Sequence, residues 1–232
     1  MTIVLAVPCQ GAVIVGSDTE VSDQRTRTTH LKIKELNGRC LWAGSGEVGV
    51  IQRLEECLVS LPDHDRPLAE LREPIGLCIR AVVEDALRID YRVPYVQGDL
   101  KQLEALYYCR FTFAEQRAGQ GRILTFDTTG GAEWYTHPHA MGSAADFAVA
   151  LTKNYDRSSL LPERAALLVI AILEQTIETA QSGVDYPLDM WHVDDAGVHH
   201  YDGGEMARLY AEAQRLRDAE RTLIERWQFG PS

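Results

Sequence analysis

The 232-residue sequence has few of the features that mark nucleic-acid-binding, membrane-spanning or secreted proteins. Its 23 Lys and Arg are outnumbered by 34 Asp and Glu, and the net charge of −11 disfavours a surface that binds phosphate. No apolar run approaches the length of a membrane span, and the N-terminus lacks the basic flank and apolar core of a signal peptide. We therefore expect a cytoplasmic protein without a nucleic-acid or membrane partner.

Cysteine is also scarce and has no metal-binding spacing. The five cysteines are an odd number and form no Cys-x-x-Cys pair, which argues against a structural zinc site or a disulfide framework. Most of them lie in apolar segments, so we expect buried free thiols in a reducing compartment. They are Cys9, Cys40, Cys57, Cys78 and Cys109.

The rest of the composition is that of an ordinary globular protein, 45% hydrophobic and 25% charged. No internal repeat, low-complexity segment or linker divides the chain. Because this length suits one well-buried core, residues 1–232 are expected to form a single domain.

The hydrophobic pattern predicts groups of strands that alternate with groups of helices. Predicted strands cover residues 2–8, 12–17, 32–36, 40–43, 105–113, 123–126, 133–136, 188–193 and 198–201. Predicted helices cover residues 47–61, 67–91, 143–154, 162–181 and 203–227. This order lacks the regular strand–helix alternation of a parallel sheet. We expect an α+β fold, a four-layer αββα sandwich of two antiparallel sheets flanked by helix pairs.

Residues 44–49, Gly-Ser-Gly-Glu-Val-Gly, match the dinucleotide-binding pattern G-x-G-x-x-G between a strand and a helix. The surrounding pattern does not fit, because the preceding strands form hairpins and no second strand ending in an acid follows the helix. We therefore set nucleotide binding aside. A backbone amide in such a turn could still stabilise an oxyanion.

The N-terminus holds a potentially reactive residue. Removal of Met1 would leave Thr2 as the first residue, with its hydroxyl as a nucleophile and its own α-amine as a base. An α-amine has a reference pKa of about 7.7–8.0, so it accepts a proton near neutral pH. A Met-Thr start is also common in proteins with an ordinary first strand, so the residues downstream must decide.

Three downstream residues lie at the ends of the next predicted strands. Asp18 ends the second strand, Lys32 begins the third, and Gly44 ends the fourth. A lone carboxylate at the end of a buried strand would be costly without a partner. If the strands lie side by side, Asp18 and Lys32 can pair beneath the Thr2 hydroxyl, with the Gly44 amide facing the same point.

With these residues in this order, the sequence resembles the proteasome β-subunit family, the threonine-protease branch of the N-terminal nucleophile hydrolases. A bacterial proteasome homologue fits the same description. The resemblance covers roughly residues 2–60 and 121–205 and is poor over 61–120. Two further matches, Gly142-Ser143 and Ser182-Gly183, look like the Gly-Ser and Ser-Gly of the family.

The resemblance implies a role for each matching residue. Thr2 would be the nucleophile, with its own amine as general base through a water molecule. Lys32 would lower the pKa of the Thr2 hydroxyl by its positive charge, and Asp18 would hold and charge-balance Lys32. The N–H group of Gly44 would stabilise the oxyanion.

Two serines would support the amine, and one position departs from the family. Ser143 and Ser182 would hydrogen-bond the amine and its water. The family carries an aspartate three residues before the second serine, where this chain has Thr179. Threonine cannot supply the negative charge that supports a protonated amine, and Glu178 would point about 100° away on a helix. The departure bears on rate and substrate range more than on the chemistry.

The resemblance implies a threonine-type endopeptidase that cleaves peptide bonds through an acyl-enzyme on Thr2, without a metal or cofactor. It implies a peptide or unfolded-protein substrate, assembly into a homo-oligomeric ring, and an ATP-dependent unfoldase as a partner. Two alternatives stay open. One is a non-catalytic ring or scaffold subunit, and the other is an N-terminal nucleophile amidase or peptide ligase with a narrow substrate.

The same residues also have purely structural explanations. Asp18 and Lys32 could form a structural ion pair in an inactive subunit, and Ser143 and Ser182 could cap helices. The histidines, including the segment His137-Pro138-His139, lack the i, i+4 spacing of helical metal ligands and are expected at the surface or in turns.

Overall fold

The computed structural model of the chain describes residues 2–22, 27–90, 109–153, 155, 159–179 and 184–226. Within this part of the chain the strands are β1 (Ile3–Cys9), β2 (Ala12–Asp18), β3 (Glu20–Ser22), β4 (Arg27–Thr29), β5 (Ile33–Asn37), β6 (Cys40–Ser45), β7 (Arg110–Arg117), β8 (Gln120–Phe126), β9 (Ala132–Tyr135), β10 (His139–Gly142), β11 (Leu188–Asp194) and β12 (Val198–His200). The helices are α1 (Val48–Val59), α2 (Leu68–Asp85), α3 (Ala145–Thr152), α4 (Pro162–Thr179) and α5 (Gly203–Arg226), and a π-helical segment, Ala86–Asp90, follows α2.

Ten of the described strands form two antiparallel sheets. Sheet I has the order β10-β1-β2-β11-β12, and sheet II has the order β5-β6-β7-β8-β9. Neighbouring strands are antiparallel throughout both sheets. The short strands β3 and β4 pair with each other as a separate hairpin.

Three apolar clusters hold the layers together. One joins sheet II to α1 and α2, a second joins sheet I to α3, α4 and α5, and a third fills the space between the sheets. The layers therefore run helices, sheet, sheet, helices. The predicted four-layer α+β sandwich of two antiparallel sheets is confirmed.

Strand β1 is buried on both faces, which explains its continuous apolar sequence. Ile3, Leu5 and Val7 belong to the cluster beneath the helices, whereas Val4 and Ala6 belong to the cluster between the sheets. All five side chains are almost wholly inaccessible to solvent. Burial on two sides fixes the register of β1, and with it the position of the residue that precedes it.

Several predicted element boundaries were wrong. The strand expected at residues 105–113 is β7, which begins at Arg110 and continues to Arg117, and residues 105–108 lie outside the described part of the chain. Residues 93–102, where neither a strand nor a helix was predicted, also lie outside the described part of the chain. The segment 19–30, where no strand was predicted, contains β3 and β4.

Strand β10 was not predicted, because Pro138 and its flanking histidines indicated a turn. This strand pairs with β1, placing Gly142 opposite Ile3. The pairing with β1, which is distant in sequence, overrides the local turn signal.

The prediction of free thiols was wrong for two cysteines. Cys57 on α1 and Cys78 on α2 form a disulfide, with their Cα atoms 6.1 Å apart. Sequence spacing could not show that these two positions face each other, because that depends on how α1 packs against α2. Cys9, Cys40 and Cys109 are free, as expected.

Candidate active site

Thr2, which immediately precedes β1, lines a cavity of about 550 Å³. Its walls come from the segment before and within β5, the end of β6, one face of α1, and the junction of β10 with α3. The lining residues are Thr2, His30, Leu31, Lys32, Lys34, Gly44, Ser45, Gly46, Val48, Ile51, Gln52, Glu55, Gly142 and Ser143.

Thr2 is half-buried and its backbone is held on both sides. Its carbonyl oxygen accepts a hydrogen bond from the Ser143 amide at 3.0 Å. The next amide, that of Ile3, donates to Oδ1 of Asp18 at 2.9 Å. These contacts leave the threonine side chain on the wall of the cavity, with its main chain fixed.

Asp18 and Lys32 form a buried ion pair beside Thr2. Lys32 Nζ lies 2.6 Å from Asp18 Oδ1, and the side chains are 6% and 0% exposed. The same Oδ1 therefore accepts from both the lysine and the Ile3 amide. Asp18 reaches the site from the end of β2, and Lys32 immediately precedes β5.

The environment of Asp18 has opposing effects on its charge. Burial raises the pKa of the carboxyl above its usual value, while the ammonium of Lys32 and the amide of Ile3 act to lower it. The second oxygen, Oδ2, is buried and has no hydrogen-bond partner among the described residues. The pair is consequently sensitive to the loss of either charge.

The turn from β6 to α1 forms a second wall. Gly44 lies against α1, and a Cβ atom there would come within 3.0 Å of the Ile51 side chain. Gly46 has a φ of +123°, in the region that favours glycine. Both neighbours of β6 are antiparallel, unlike the parallel strands of a dinucleotide-binding unit.

Cys109, just before β7, holds this turn in place. Its Sγ accepts a hydrogen bond from the Glu47 amide at 3.3 Å. Burial raises the pKa of the Cys109 thiol to about 11, so the sulfur stays protonated at neutral pH. The role of this cysteine is structural, and it is closest to the part of the turn that leads into α1.

A second ion pair lies on the wall made by β5 and α1. Lys34 Nζ contacts Glu55 Oε2, and the side chains are 28% and 41% exposed. The Lys34 ammonium is also 5.7 Å from the ring centre of Trp42. This part of the cavity therefore carries charges of both signs.

The structure brings four of the predicted site residues to one cavity, Thr2, Lys32, Gly44 and Ser143, with Asp18 directly behind Lys32. Ser143 does not cap α3, since the N-cap position is Ala144. Their chemical roles remain predictions.

Thr179, another predicted site residue, is the last residue of α4. Thr179 is exposed, and its Oγ1 donates to the carbonyl oxygen of Gln175 at 2.7 Å, within its own helix. It is not among the residues that line the cavity. Ser182 lies outside the described residues.

Sequence reasoning did not identify the α1 wall or Cys109. The wall has a signal that could have found it, because Val48, Ile51, Gln52 and Glu55 are spaced i, i+3, i+4 and i+7 on one helix face. Cys109 has no such signal, since it reaches Glu47 across 62 residues of sequence.

In the described ranges, no group of three or more His, Cys, Asp or Glu is placed to hold a metal ion. Among the same residues, no helix is both long and apolar enough to span a membrane.

Solved structures named Anbu share this four-layer sandwich. An Anbu (Gly-1) mutant from Hyphomicrobium sp. strain MC1 matches with a TM-score of 0.71 at 14% identity, over 100% of both chains. Anbu (ancestral beta-subunit) from Yersinia bercovieri matches with a TM-score of 0.75 at 11% identity, again over 100% of both chains. No protein-family model and no curated protein sequence matches the chain.

These similarities correct the sequence-based resemblance to the proteasome β-subunit family. The matching structures are Anbu proteins, described as an ancestral beta-subunit, and the identity is only 11–14%. Among the residues behind the resemblance, Asp18 ends β2, Lys32 precedes β5 and Gly44 lies near the end of β6, and the packing of the two sheets brings these strand ends together. These residues therefore indicated the fold but not the branch of proteins that carries it.

Proposed function

We propose that this chain is a threonine peptidase whose nucleophile is Thr2 after removal of Met1. The observation that carries the proposal is that Lys32 lines the same cavity as Thr2 and is held by the buried Asp18, with its Nζ 2.6 Å from Asp18 Oδ1. An ammonium fixed beside a threonine hydroxyl favours the ionised, nucleophilic form of that hydroxyl.

The proposed reaction forms and then hydrolyses an ester on Thr2. The α-amine takes the hydroxyl proton, Oγ bonds to the substrate carbonyl carbon, and the amide nitrogen leaves with a proton. A water molecule, deprotonated by the same amine, then attacks the ester and releases the acid. In this scheme the Gly44 amide stabilises the oxyanion, and Lys32 stabilises the negative charge on Oγ.

The supporting groups complete the proposed site. Ser143 would hydrogen-bond the amine, and the hydrogen bond from its own amide to the Thr2 carbonyl oxygen supports this role. Thr179 would act from the end of α4, and Ser182 would hydrogen-bond the amine and its water. The exposed Thr179 carries no charge, so we expect a weaker electrostatic effect on the amine than an aspartate would give.

We further propose that residues 1–232 act as one domain and assemble into a homo-oligomeric ring. A ring would enclose the nucleophile and restrict its access to peptide or unfolded-protein substrates, with an ATP-dependent unfoldase as a partner. The likeness in fold to Anbu supports a subunit-type architecture. Sedimentation velocity on the full chain tests assembly, and a species of monomer mass at micromolar concentration would contradict it.

The direct test begins with the N-terminus. Intact-mass measurement of the purified chain should show that Met1 is absent, and a threonine-directed electrophile should add to Thr2. The Thr2→Ala variant should lose both labelling and peptide hydrolysis. Thr222→Ala, the same change at an exposed position on α5, should retain both. Undiminished hydrolysis by Thr2→Ala would refute the proposal.

Two outcomes would favour the other functions. Retention of Met1 would block the nucleophile and favour a non-catalytic ring or scaffold subunit. Hydrolysis or ligation of small amides by the processed chain, without degradation of an unfolded protein, would favour an amidase or peptide ligase of narrow specificity.

A further inference from the structure

The cavity continues from Thr2 along β5 to a second lysine. Lys34 lies in β5, and Lys32 immediately precedes that strand, two residues earlier along the chain. Both line the cavity. A substrate carbonyl at Thr2 would therefore have the side chain of its own residue within reach of Lys34.

The two members of the ion pair at Lys34 are not equally fixed. Lys34 is 28% exposed and lies over Trp42, which is itself buried and stacked on Phe113 with ring centres 6.1 Å apart. Glu55 is 41% exposed at the side of α1. The Lys34 ammonium is therefore held by its contact with the Trp42 ring, whereas the Glu55 carboxylate can rotate into solvent.

We propose that this cavity selects substrates with an acidic side chain on the acyl side of the scissile bond, because that carboxylate replaces Glu55 as the partner of Lys34. This inference rests on the proposed peptidase function. The exchange preserves both the charge pair and the contact of Lys34 with Trp42, and it releases Glu55 to water.

Other side chains fit the cavity less well. A basic side chain would have to pair with Glu55 and leave Lys34 without its carboxylate, next to the ammonium of Lys32. An apolar side chain can contact Val48 and Ile51 but gains no partner at the Lys34 end. The carboxylate of Asp18 does not compensate, since it lies behind Lys32 and is already engaged by it.

The test uses fluorogenic peptides that differ only in the residue before the cleaved bond, Glu, Gln or Lys. The isosteric Glu and Gln substrates isolate the effect of charge. We expect kcat/KM for Glu to exceed that for Gln by about 10-fold, and the Lys substrate to be the poorest. Lys34→Met should bring the Glu/Gln ratio close to one, Lys34→Arg should retain it, and Glu55→Gln should raise it.

The matched control removes a lysine elsewhere. Lys153 is exposed and does not line the cavity, so Lys153→Met should keep the Glu/Gln ratio of the unmodified chain. A ratio that is the same in the unmodified chain and in Lys34→Met would overturn the inference, as would a preference for Lys.

Labelling of Thr2 separates this inference from the proposed function. If the electrophile labels Thr2 and the peptides are cleaved without preference for Glu, only the assignment of specificity fails. If Thr2 is not labelled and no peptide is cleaved, the peptidase function fails, and the inference fails with it.

Discussion

Two ion pairs, whose lysines are only two residues apart in the chain, show how differently the same chemistry can be used. Lys32 pairs with Asp18 at 2.6 Å with both side chains buried, whereas Lys34 pairs with Glu55 with both side chains partly exposed. The first pair joins sheet II to the end of a strand of sheet I. The second joins sheet II to a helix in the outer layer.

The two pairs differ in the surroundings of the charge that remains when one member is removed. Removal of one member of the Asp18–Lys32 pair leaves the other as an uncompensated charge buried away from water. The pair therefore stays formed for as long as the chain is folded. Loss of one member of the Lys34–Glu55 pair leaves the other in contact with solvent. The buried pair suits a permanent part of a reacting centre, and the exposed pair suits a position where a ligand exchanges with the protein.

The largest effect should come from Lys32→Met. This change removes the ammonium and leaves the Asp18 carboxylate with the Ile3 amide as its remaining donor among the described residues. We expect the free energy of unfolding to fall by about 3–5 kcal/mol. Urea denaturation of the single variant and of the double variant Lys32→Met/Asp18→Leu measures it. A double variant as unstable as the single would show that the stranded charge is not the cause.

A second effect should appear in acid and has its origin outside both ion pairs. Burial lowers the pKa of His139 from 6.5 to about 4, with Arg110 and His137 adding to the shift. The unfolded chain binds a proton at higher pH than the folded chain, so stability is full above about pH 6.5 and falls towards pH 4. We expect a loss of about 1–3 kcal/mol over that window.

His139→Phe should flatten the pH dependence, measured by urea denaturation between pH 4 and 7, and His64→Gln at the exposed surface should not. Asp18 has a raised pKa, so the folded chain binds its proton first and stability changes with the opposite sign. If the free energy of unfolding falls as steeply between pH 7 and pH 4 in His139→Phe as in the unmodified chain, groups other than His139 cause the acid sensitivity.

A third, smaller effect concerns the turn that follows β6. Cys109→Ala removes the acceptor of the Glu47 amide, which should cost about 1–2 kcal/mol of stability and lower kcat for peptide hydrolysis. Cys109→Ser should restore much of the kcat. Cys40→Ala, which truncates another buried thiol, should lose stability while keeping kcat. Equal losses of kcat in both alanine variants would contradict a role for the turn.

The smallest effect should come from Lys34→Met, the same substitution two residues beyond the first. Because both partners are partly exposed, we expect the free energy of unfolding to change by less than about 1 kcal/mol. Urea denaturation of Lys32→Met and Lys34→Met in parallel compares the free energies of unfolding that the two variants lose. A loss at Lys34 as large as that at Lys32 would mean that the exposed pair is structural.

The layer order was predictable because it depends on periodicity that is local in sequence. Apolar runs and hairpin turns near Gly11 and Asn37 predicted the paired strands at the start of the chain. Strand β10 was missed because its stability comes from β1, more than 130 residues away in the chain. The Cys57–Cys78 disulfide was missed for the same physical reason, since only helix packing brings the two positions together.

The site was partly predictable because several of its residues lie at strand ends, and the hydrophobic pattern of the sequence locates those ends. Asp18 and Lys32 were expected to pair, and they do. Thr179 illustrates the limit, because the direction of a side chain at a helix end depends on local hydrogen bonding, and its hydroxyl is turned back to Gln175. The cavity wall on α1 also required knowledge of which helix face meets the sheet.

The geometry at Gly142 has a consequence for how variation in this chain should be interpreted. Gly142 has a φ of +105°, and a Cβ atom there would overlap the Thr2 carbonyl oxygen. In a library that samples every amino acid at every position, residue 142 should tolerate no replacement and resemble a chemically essential position. Gly38, where a Cβ atom would meet open space, should accept many. Intolerance at residue 142 would reflect the space reserved for the main chain of Thr2, since glycine itself brings no reactive group.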